Sequence, residues 1–353
     1  MEHVLSEDIA QVLSDDLPWE RLSGKCVAVT GANGMLASFL VKTLLALNDR
    51  LEAPVKVVGL VRNVEKARER FSEHAGDTRL ELRKWSVDDS DLRLPECNVM
   101  VHAASIPRAD SRNPVDVVAP NVVGTWNLLD YCRRGCPHFE DFLFFSSGAV
   151  YGDDHRDDAP VAEGQSFPID PMNHLSCYAE SKRMGENLCA SFAVQYGMSA
   201  KVLRYAHTYG PEMDLDGDPR SFVYFVRCAL RGEDIELRTD GRMPRYFCYV
   251  TDATSALFRI LFFGRSGEAY NVGNEDGRIA ICDLAAKIAG MATPAVKVRQ
   301  TARGARSATS FIPQRYTLHP DTGKLKALGF RPRVSVEDGF GRVLRYHGHG
   351  RQA

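Results

Sequence analysis

The segment from Val27 to Ala37 constrains the fold of this 353-residue chain more than any other stretch. Residues 27–30 are a short apolar run typical of a buried strand, Gly31 and Gly34 follow, and an apolar helical pattern begins at Met35. A glycine turn between a strand and a helix lets backbone approach a pyrophosphate, which the free N–H groups of the helix attract. The segment therefore predicts a dinucleotide site, with contacts from Gly31, Asn33, Gly34, Met35 and Leu36.

Apolar strands alternate with helices as far as residue 205. The predicted strands are 27–30, 55–61, 80–85, 99–103, 141–146 and 200–205, and the predicted helices are 35–47, 64–74, 121–133 and 177–196. This alternation predicts an α/β fold of Rossmann type, a doubly wound parallel sheet covered on both faces. Helices are also predicted at 221–231, 252–263 and 283–291, and residues 303–314 are expected to be a polar, mobile segment.

The pattern becomes shorter and more mixed after Gly210. We expect residues 1–205 to form the dinucleotide-binding domain, with 1–24 as a lead-in helix and a returning segment near 240–265. Residues 206–353 are expected to form mostly a smaller α/β substrate-binding domain.

Composition excludes several classes of protein. The net charge is −2 with acids and bases mixed, which argues against a nucleic-acid surface. No apolar run approaches the roughly 20 residues of a membrane span, and the first residues are not those of a secretory signal. The 9 cysteines lack the paired spacing of a zinc site, so no metal is expected. A cytoplasmic location follows as an expectation.

Tyr178 and Lys182 lie four residues apart, on one face of the predicted helix 177–196. A free phenol is a poor base at neutral pH, and an ammonium one turn away lowers its pKa. Ser147 follows the strand 141–146 and emerges at the carboxyl edge of the sheet, where ligands bind in open α/β sheets. The three residues predict a catalytic group of Ser147, Tyr178 and Lys182.

The end of the second strand usually distinguishes NAD from NADP, because an acid there binds the ribose 2′-hydroxyl. This chain has Arg62 instead. Arg62 suits a 2′-phosphate or stacks on adenine, and it is equally compatible with a solvated surface position. NAD is expected because a cofactor regenerated in each turnover can stay bound, and NADP stays open because of Arg62.

The chain resembles the extended short-chain dehydrogenase/reductase superfamily, in its nucleotide-sugar epimerase/dehydratase/decarboxylase branch, from about Gly24 to about His347. The resemblance rests on segments in the right order: Thr30–Ala37, His102–Ala104, Asn121–Thr125, Ser146–Gly152, Tyr178–Lys182, Arg204–Pro211, Arg245–Val250 and Tyr270–Gly273.

The resemblance implies roles for single residues. Tyr178 is expected to be the base, Lys182 its partner and Ser147 the catalytic hydroxyl. Further expected cofactor contacts are Ser86, Val87, Ala103, Ala104, Asn121 and Tyr205, together with Tyr178 and Lys182. Expected substrate contacts are Ser105, Ser147, His207 and Arg245, whose guanidinium suits a diphosphate.

The chain departs from the family at several of these positions. Gly148 and Ala149 stand where dehydratases have acids, and decarboxylases of UDP-glucuronate have a glutamate in place of Ala149. His207 replaces an asparagine, either to contact substrate or as a buried histidine. Ser86-Val87 replaces an aspartate that reads adenine, although a serine can still accept a hydrogen bond.

The resemblance favours a nucleotide-sugar 4-epimerase that works through a transient 4-keto intermediate. The alternatives are an NADPH-dependent ketoreductase or a decarboxylase of a nucleotide sugar and, from a different class, a non-catalytic nucleotide-binding module. Family members commonly dimerise through two helices per subunit, so a homodimer is expected through 121–133 and 177–196.

Overall fold

The structure of the protein is a computed structural model that describes residues 2–87, 94, 96–106, 113–152, 159–300 and 318–348. The predicted mobile segment 303–314 lies outside these residues.

Seven parallel strands form the large sheet, in the order β11-β7-β5-β4-β1-β2-β3. Its strands are β1 (Cys26–Thr30), β2 (Lys56–Val61), β3 (Leu80–Lys84), β4 (Val99–His102), β5 (Asp141–Ser147), β7 (Ala200–Tyr205) and β11 (Ala269–Val272). The order reverses between β1 and β4, where Thr30 pairs with His102. In such sheets ligands bind at the carboxyl ends of the strands beside this reversal.

The other strands are short and form three small sheets, with orders β12-β10-β8, β13-β9 and β14-β6. They are β6 (Pro160–Val161), β8 (His207–Tyr209), β9 (Ile235–Leu237), β10 (Pro244–Tyr249), β12 (Arg278–Ala280), β13 (Val298–Gln300) and β14 (His319–Pro320). The chain returns to the large sheet at β11, just beyond the expected returning segment. The division into two domains stays a prediction.

Helices cover both faces of the large sheet. They are α1 (Glu2–Leu13), α2 (Met35–Leu47), α3 (Val64–Arg70), α4 (Pro114–Gly135), α5 (Cys177–Tyr196), α6 (Ser221–Arg231), α7 (Val250–Phe263), α8 (Ile281–Met291), α9 (Gly323–Ala327) and α10 (Val336–Tyr346). One apolar core joins the sheet to α2 and α7, and a second core joins its other face to α4 and α5. The doubly wound parallel fold expected from the sequence is confirmed.

The largest error of boundary concerns α4, which begins seven residues before its predicted start at Asn121. A proline inside a helix removes one helical hydrogen bond. The helix nevertheless continues through Pro120 and buries Val117 and Leu128 on the same side. Pro114 occupies its first turn, where a proline costs nothing. The sequence also predicted no strand after residue 205, where the structure has β8 to β14.

Among the helices of the described residues, none combines the length and the apolar character that crossing a bilayer requires. Within the same part of the chain, no group of three or more His, Cys, Asp or Glu side chains is arranged to hold a metal ion.

Candidate active site

The glycine turn after β1 packs directly against the segment that follows β4. Gly31 has φ +63°, and a Cβ there would lie 2.9 Å from the Ala104 Cα. A side chain at this position would meet both backbone strain and a backbone clash. Gly34 is the N-cap of α2 and offers no side-chain cap, so the first N–H groups of the helix are left for a ligand. Asn33, Met35 and Leu36 lie in or next to this first turn.

His102, a buried residue at the end of β4, links this strand to β1 and to α4. Its Nε2 donates to the Pro120 carbonyl (2.9 Å), and its Nδ1 accepts from the Thr30 hydroxyl (2.8 Å). The Thr30 oxygen in turn accepts from the Ala104 N–H (2.9 Å). Burial and, to a smaller extent, the charge of Lys182 lower the pKa of His102 to about 3. His102 is therefore a neutral structural link, which places Ala103 and Ala104 beside the glycine turn.

The catalytic hydroxyls predicted from the sequence meet at the carboxyl edge of the sheet. Ser147 ends β5 and caps the short turn 148–151, where its oxygen accepts from the Ala149 N–H (3.2 Å). The Tyr178 phenol, in the first turn of α5, is hydrogen bonded to Ser147. Burial raises the pKa of Tyr178, while Ser147 and the charge of Arg220 lower it.

Lys182 corrects one part of the sequence analysis. We expected its ammonium to lower the pKa of the phenol, but its Nζ donates to the Phe145 carbonyl (2.5 Å) and lies 4.7 Å from the Phe144 ring centroid. Only 2% of Lys182 is exposed, and desolvation lowers its pKa to about 7. The groups that lower the Tyr178 pKa in this geometry are Ser147 and Arg220.

Within the part of the chain that the structure describes, three buried polar atoms near this edge have no hydrogen-bond partner: Asn121 Oδ1, Ser105 Oγ and Tyr205 OH. Asn121 holds its amide nitrogen on Val117 O and Ser181 Oγ, both at 3.0 Å, which leaves its oxygen free. Buried polar atoms are rarely left unpaired, so unpaired ones near a pocket point to a ligand. With the uncapped start of α2, they fit a dinucleotide laid along the strand ends.

The expected adenine contacts lie at neighbouring strand ends. Arg62 follows β2 and is exposed, and Ser86 and Val87 follow β3. A Cβ at Gly124 of α4 would lie 2.9 Å from Val87 Cγ1, so Val87 is packed beneath this edge. The structure therefore places Arg62 at the end of β2 and Val87 against α4.

Two arginines act electrostatically on His207. Burial, with the charges of Arg245 and Arg220, lowers the pKa of His207 to about 3. Arg245 is itself desolvated, which lowers its pKa. The charge of Arg220 also lowers the pKa of Tyr178, so this arginine acts on both the phenol and the imidazole. His207 is thus a neutral residue.

The sequence analysis missed Arg220. It lies in the loop before α6, is held by Asp218 (Nε–Oδ2 2.8 Å), and stacks over Phe222 (4.6 Å). Its only sequence signal was a basic residue directly before an amphipathic helix.

The chain is similar to several known proteins. The model of the NAD dependent epimerase/dehydratase family matches residues 27–273. UDP-glucuronic acid decarboxylase 6 of Arabidopsis thaliana is 30% identical over 319 residues, which cover 89% of this chain and 86% of that protein. UDP-glucuronic acid decarboxylase 2 of the same plant is 31% identical over 326 residues, covering 91% and 68%.

A similar solved structure is the UDP-glucuronic acid 4-epimerase of Bacillus cereus in complex with UDP-glucuronic acid and NAD. It has a TM-score of 0.75 and 23% identity, with 91% of this chain and 98% of that chain covered. At this identity the likeness shows the fold.

The chain belongs to the NAD dependent epimerase/dehydratase family and is an enzyme of the extended short-chain dehydrogenase/reductase type. This confirms the resemblance seen in the sequence. The family is NAD dependent, which confirms the expectation of NAD.

Proposed function

We propose that the protein is a 4-epimerase of a nucleotide-linked uronic acid, with UDP-glucuronic acid as the substrate to test first. The observation that carries the proposal is the contact between Ser147 and Tyr178, together with the positive charges of Arg220 on the phenol and of Arg220 and Arg245 on His207. This arrangement suits oxidation of a hydroxyl on a strongly anionic substrate. Both the decarboxylases and the 4-epimerase reported above carry UDP-glucuronic acid in their names.

Each residue of the site would have a separate role in the reaction. Tyr178 removes the proton of the sugar C4 hydroxyl, and Ser147 holds that oxygen by a hydrogen bond. NAD, when bound along the ends of β1, β2 and β4, supplies the hydride acceptor and later the donor. Tyr178 returns its proton to the C4 oxygen after the ring has turned over. Arg245 and Arg220 hold the anionic groups of the substrate throughout.

The residues after Ser147 favour epimerisation over loss of carbon dioxide. A 4-keto uronate is a β-keto acid, so it loses its carboxylate unless the site keeps that group out of line with the ketone. The glutamate of the decarboxylases is absent at Ala149. A Cβ at Gly148 would lie 2.0 Å from Leu318 Cδ2, so a side chain there would have to displace Leu318. Decarboxylation remains the second candidate because the curated relatives are decarboxylases.

The test is analysis of the product formed from UDP-glucuronic acid and NAD. We expect a product of unchanged mass with the C4 configuration inverted, read by NMR of the sugar ring. Loss of carbon dioxide from the sugar would favour the second candidate. Stoichiometric use of reduced cofactor on a ketone would favour the ketoreductase, and no turnover of any nucleotide sugar would contradict the proposal.

The cytoplasmic location expected from the sequence stays a prediction.

We also propose a homodimer through α4 and α5, the pair of helices expected from the sequence. Large apolar side chains are exposed along them: Val115, Val123, Trp126, Met184, Val194 and Tyr196. A row of this kind on adjacent helices is typical of a surface that another protein covers. A second copy would bury it as a bundle of four helices.

We predict that Trp126→Glu converts the dimer to a monomer. Trp126 is 53% exposed and packs edge-on against Phe192 at 5.4 Å, so a carboxylate there would be buried in the dimer without a partner. Size-exclusion chromatography with light scattering measures the change. Phe263→Glu is the control, since Phe263 is 45% exposed at the end of α7, outside this surface. A monomeric wild type, or a variant that stays dimeric, would contradict the prediction.

A further inference from the structure

Glu186 connects the two elements that carry the catalytic residues. It lies one helical turn after Lys182 on α5 and accepts a hydrogen bond from Ser146, the residue before Ser147 in β5. The helix reaches the sheet here because Gly185 has no side chain. A Cβ at that position would lie 2.4 Å from the Phe144 ring and 2.9 Å from the Asn121 carbonyl oxygen. Glu186 is thus held where both catalytic segments meet.

Arg204 of β7 holds Glu186 on its other side. Its guanidinium donates through Nε to Glu186 Oε1 (2.9 Å) and through the second nitrogen to Oε2 (2.6 Å), a bidentate pair. The remaining nitrogen reaches the Tyr151 hydroxyl (3.1 Å) and the Glu163 carbonyl (2.8 Å). The Tyr151 hydroxyl donates to Asn271 of β11 (2.6 Å). The pair is therefore fixed from three strands.

We propose that Glu186, held by Arg204, is a positioning residue that orients Ser147 and sets the charge of Lys182, the expected partner of Tyr178. The proposal rests on the proposed function. The pair lines a cavity of about 570 Å³ that also borders Val202 and Ala269, and within the described residues its lining does not include Ser147 or Tyr178.

The charges around Lys182 give the expected sign. Glu186 favours the protonated ammonium and so opposes the desolvation that lowers the Lys182 pKa. The other titratable and charged groups around these two residues are Cys189 of α5, His102 of β4 and Arg204 of β7 with its partner Tyr151. The cavity is also lined by Arg183, Glu163, Glu268 and Lys324. His102 is neutral, so Glu186 is the carboxylate that favours the charged lysine.

Glu186 and Arg204 carry opposite charges, so removing one or the other should shift the pKa of Lys182 in opposite directions. Glu186→Gln removes the negative charge and leaves Arg204. We therefore expect the midpoint of the Lys182 titration, the pH at which half of its ammonium has lost a proton, to fall below that of the wild type by up to about one pH unit. Arg204→Met leaves the carboxylate uncompensated, so we expect the midpoint to rise. A residue with only a structural role would not move the midpoint in opposite directions.

The experiment is carbon-13 NMR of lysine-labelled protein, without substrate, titrated from pH 5 to pH 10. The Lys182 signal is assigned as the one absent from Lys182→Met. Glu186→Asp keeps the charge and should return the midpoint toward the wild type, and Glu180→Gln, on the exposed side of the same helix, should leave it unchanged. Removing one partner of such a pair destabilises the protein, so one of the two charge-changing variants could fail to fold. The other variant alone still tests the proposal, because the direction of its pKa shift is specified.

Kinetics give the second readout. For Glu186→Gln we expect the alkaline limb of the kcat profile to move to lower pH, with kcat near pH 8 reduced by up to about tenfold and KM little changed. An unchanged Lys182 midpoint, or the same direction of shift in both variants, would overturn the inference. Because the titration uses no substrate, it stands or fails separately from the identity of the nucleotide sugar.

Discussion

Tyr178→Phe is expected to lower kcat on the nucleotide sugar by about 10³-fold or more while leaving NAD binding intact. Transfer of a proton by a placed side chain contributes typically 10²–10⁴-fold. The phenol is the hydroxyl that meets Ser147. It is one of many expected NAD contacts, so the remaining ones should keep NAD bound in the variant. Initial rates with UDP-glucuronic acid and calorimetric titration with NAD measure the two effects separately.

The control for this substitution is Tyr346→Phe, which removes a phenol at the end of α10, far along the chain from the carboxyl edge. It is expected to leave kcat unchanged. If Tyr178→Phe kept most of its activity, the base would have to be another group, and the Ser147–Tyr178 contact would lose its meaning. If the variant kept every activity or phenotype of the wild type, the protein would instead be a non-catalytic nucleotide-binding module.

The residue placements that could be predicted from the sequence are those set by local geometry. Gly31 stands in a turn that demands a positive φ, and Tyr178 and Lys182 are brought to one face by the helical period. The end of a parallel strand then carries Ser147 to the same edge. None of these placements needs knowledge of which strands are neighbours.

What the sequence could not provide depends on long-range pairing. Arg204 meets Glu186 only because β7 lies beside β5, in the register that pairs Ser147 with Tyr205. The direction of Lys182 is set by the Phe145 carbonyl, and burial rather than spacing sets its pKa. Arg220 reaches the phenol from a loop whose path no periodic pattern describes. α10 was missed although it is amphipathic, because the analysis of the second half stopped at short mixed segments.

Lys182→Met is expected to abolish activity and to make the protein more stable. The native site desolvates the ammonium and lowers its pKa from 10.5 to about 7. At 1.36 kcal/mol for each pH unit, this corresponds to an unfavourable contribution to folding of up to about 5 kcal/mol. The hydrogen bond to Phe145 and the Phe144 ring offset part of it, and methionine fills a similar volume. We expect a net gain in the free energy of unfolding of about 1–3 kcal/mol.

The gain in the free energy of unfolding of Lys182→Met should decrease as the pH rises. The unfolded lysine binds its proton up to about pH 10.5, whereas the native one releases it near pH 7. The penalty in the wild type is therefore complete below pH 7 and disappears as the pH rises toward 10.5. Denaturant unfolding of both proteins should thus show a larger difference at pH 6 than at pH 9.

Lys201→Met is the matched control, because Lys201 is also buried but is paired with Asp141 at 2.7 Å. Its loss leaves a carboxylate without a partner and should destabilise the protein. A Lys182→Met protein less stable than the wild type at pH 6 would mean that the ammonium is compensated in the folded state. Lys182 would then be a structural ion that stabilises the fold. The inference that this enzyme keeps a destabilising lysine for catalysis would be wrong.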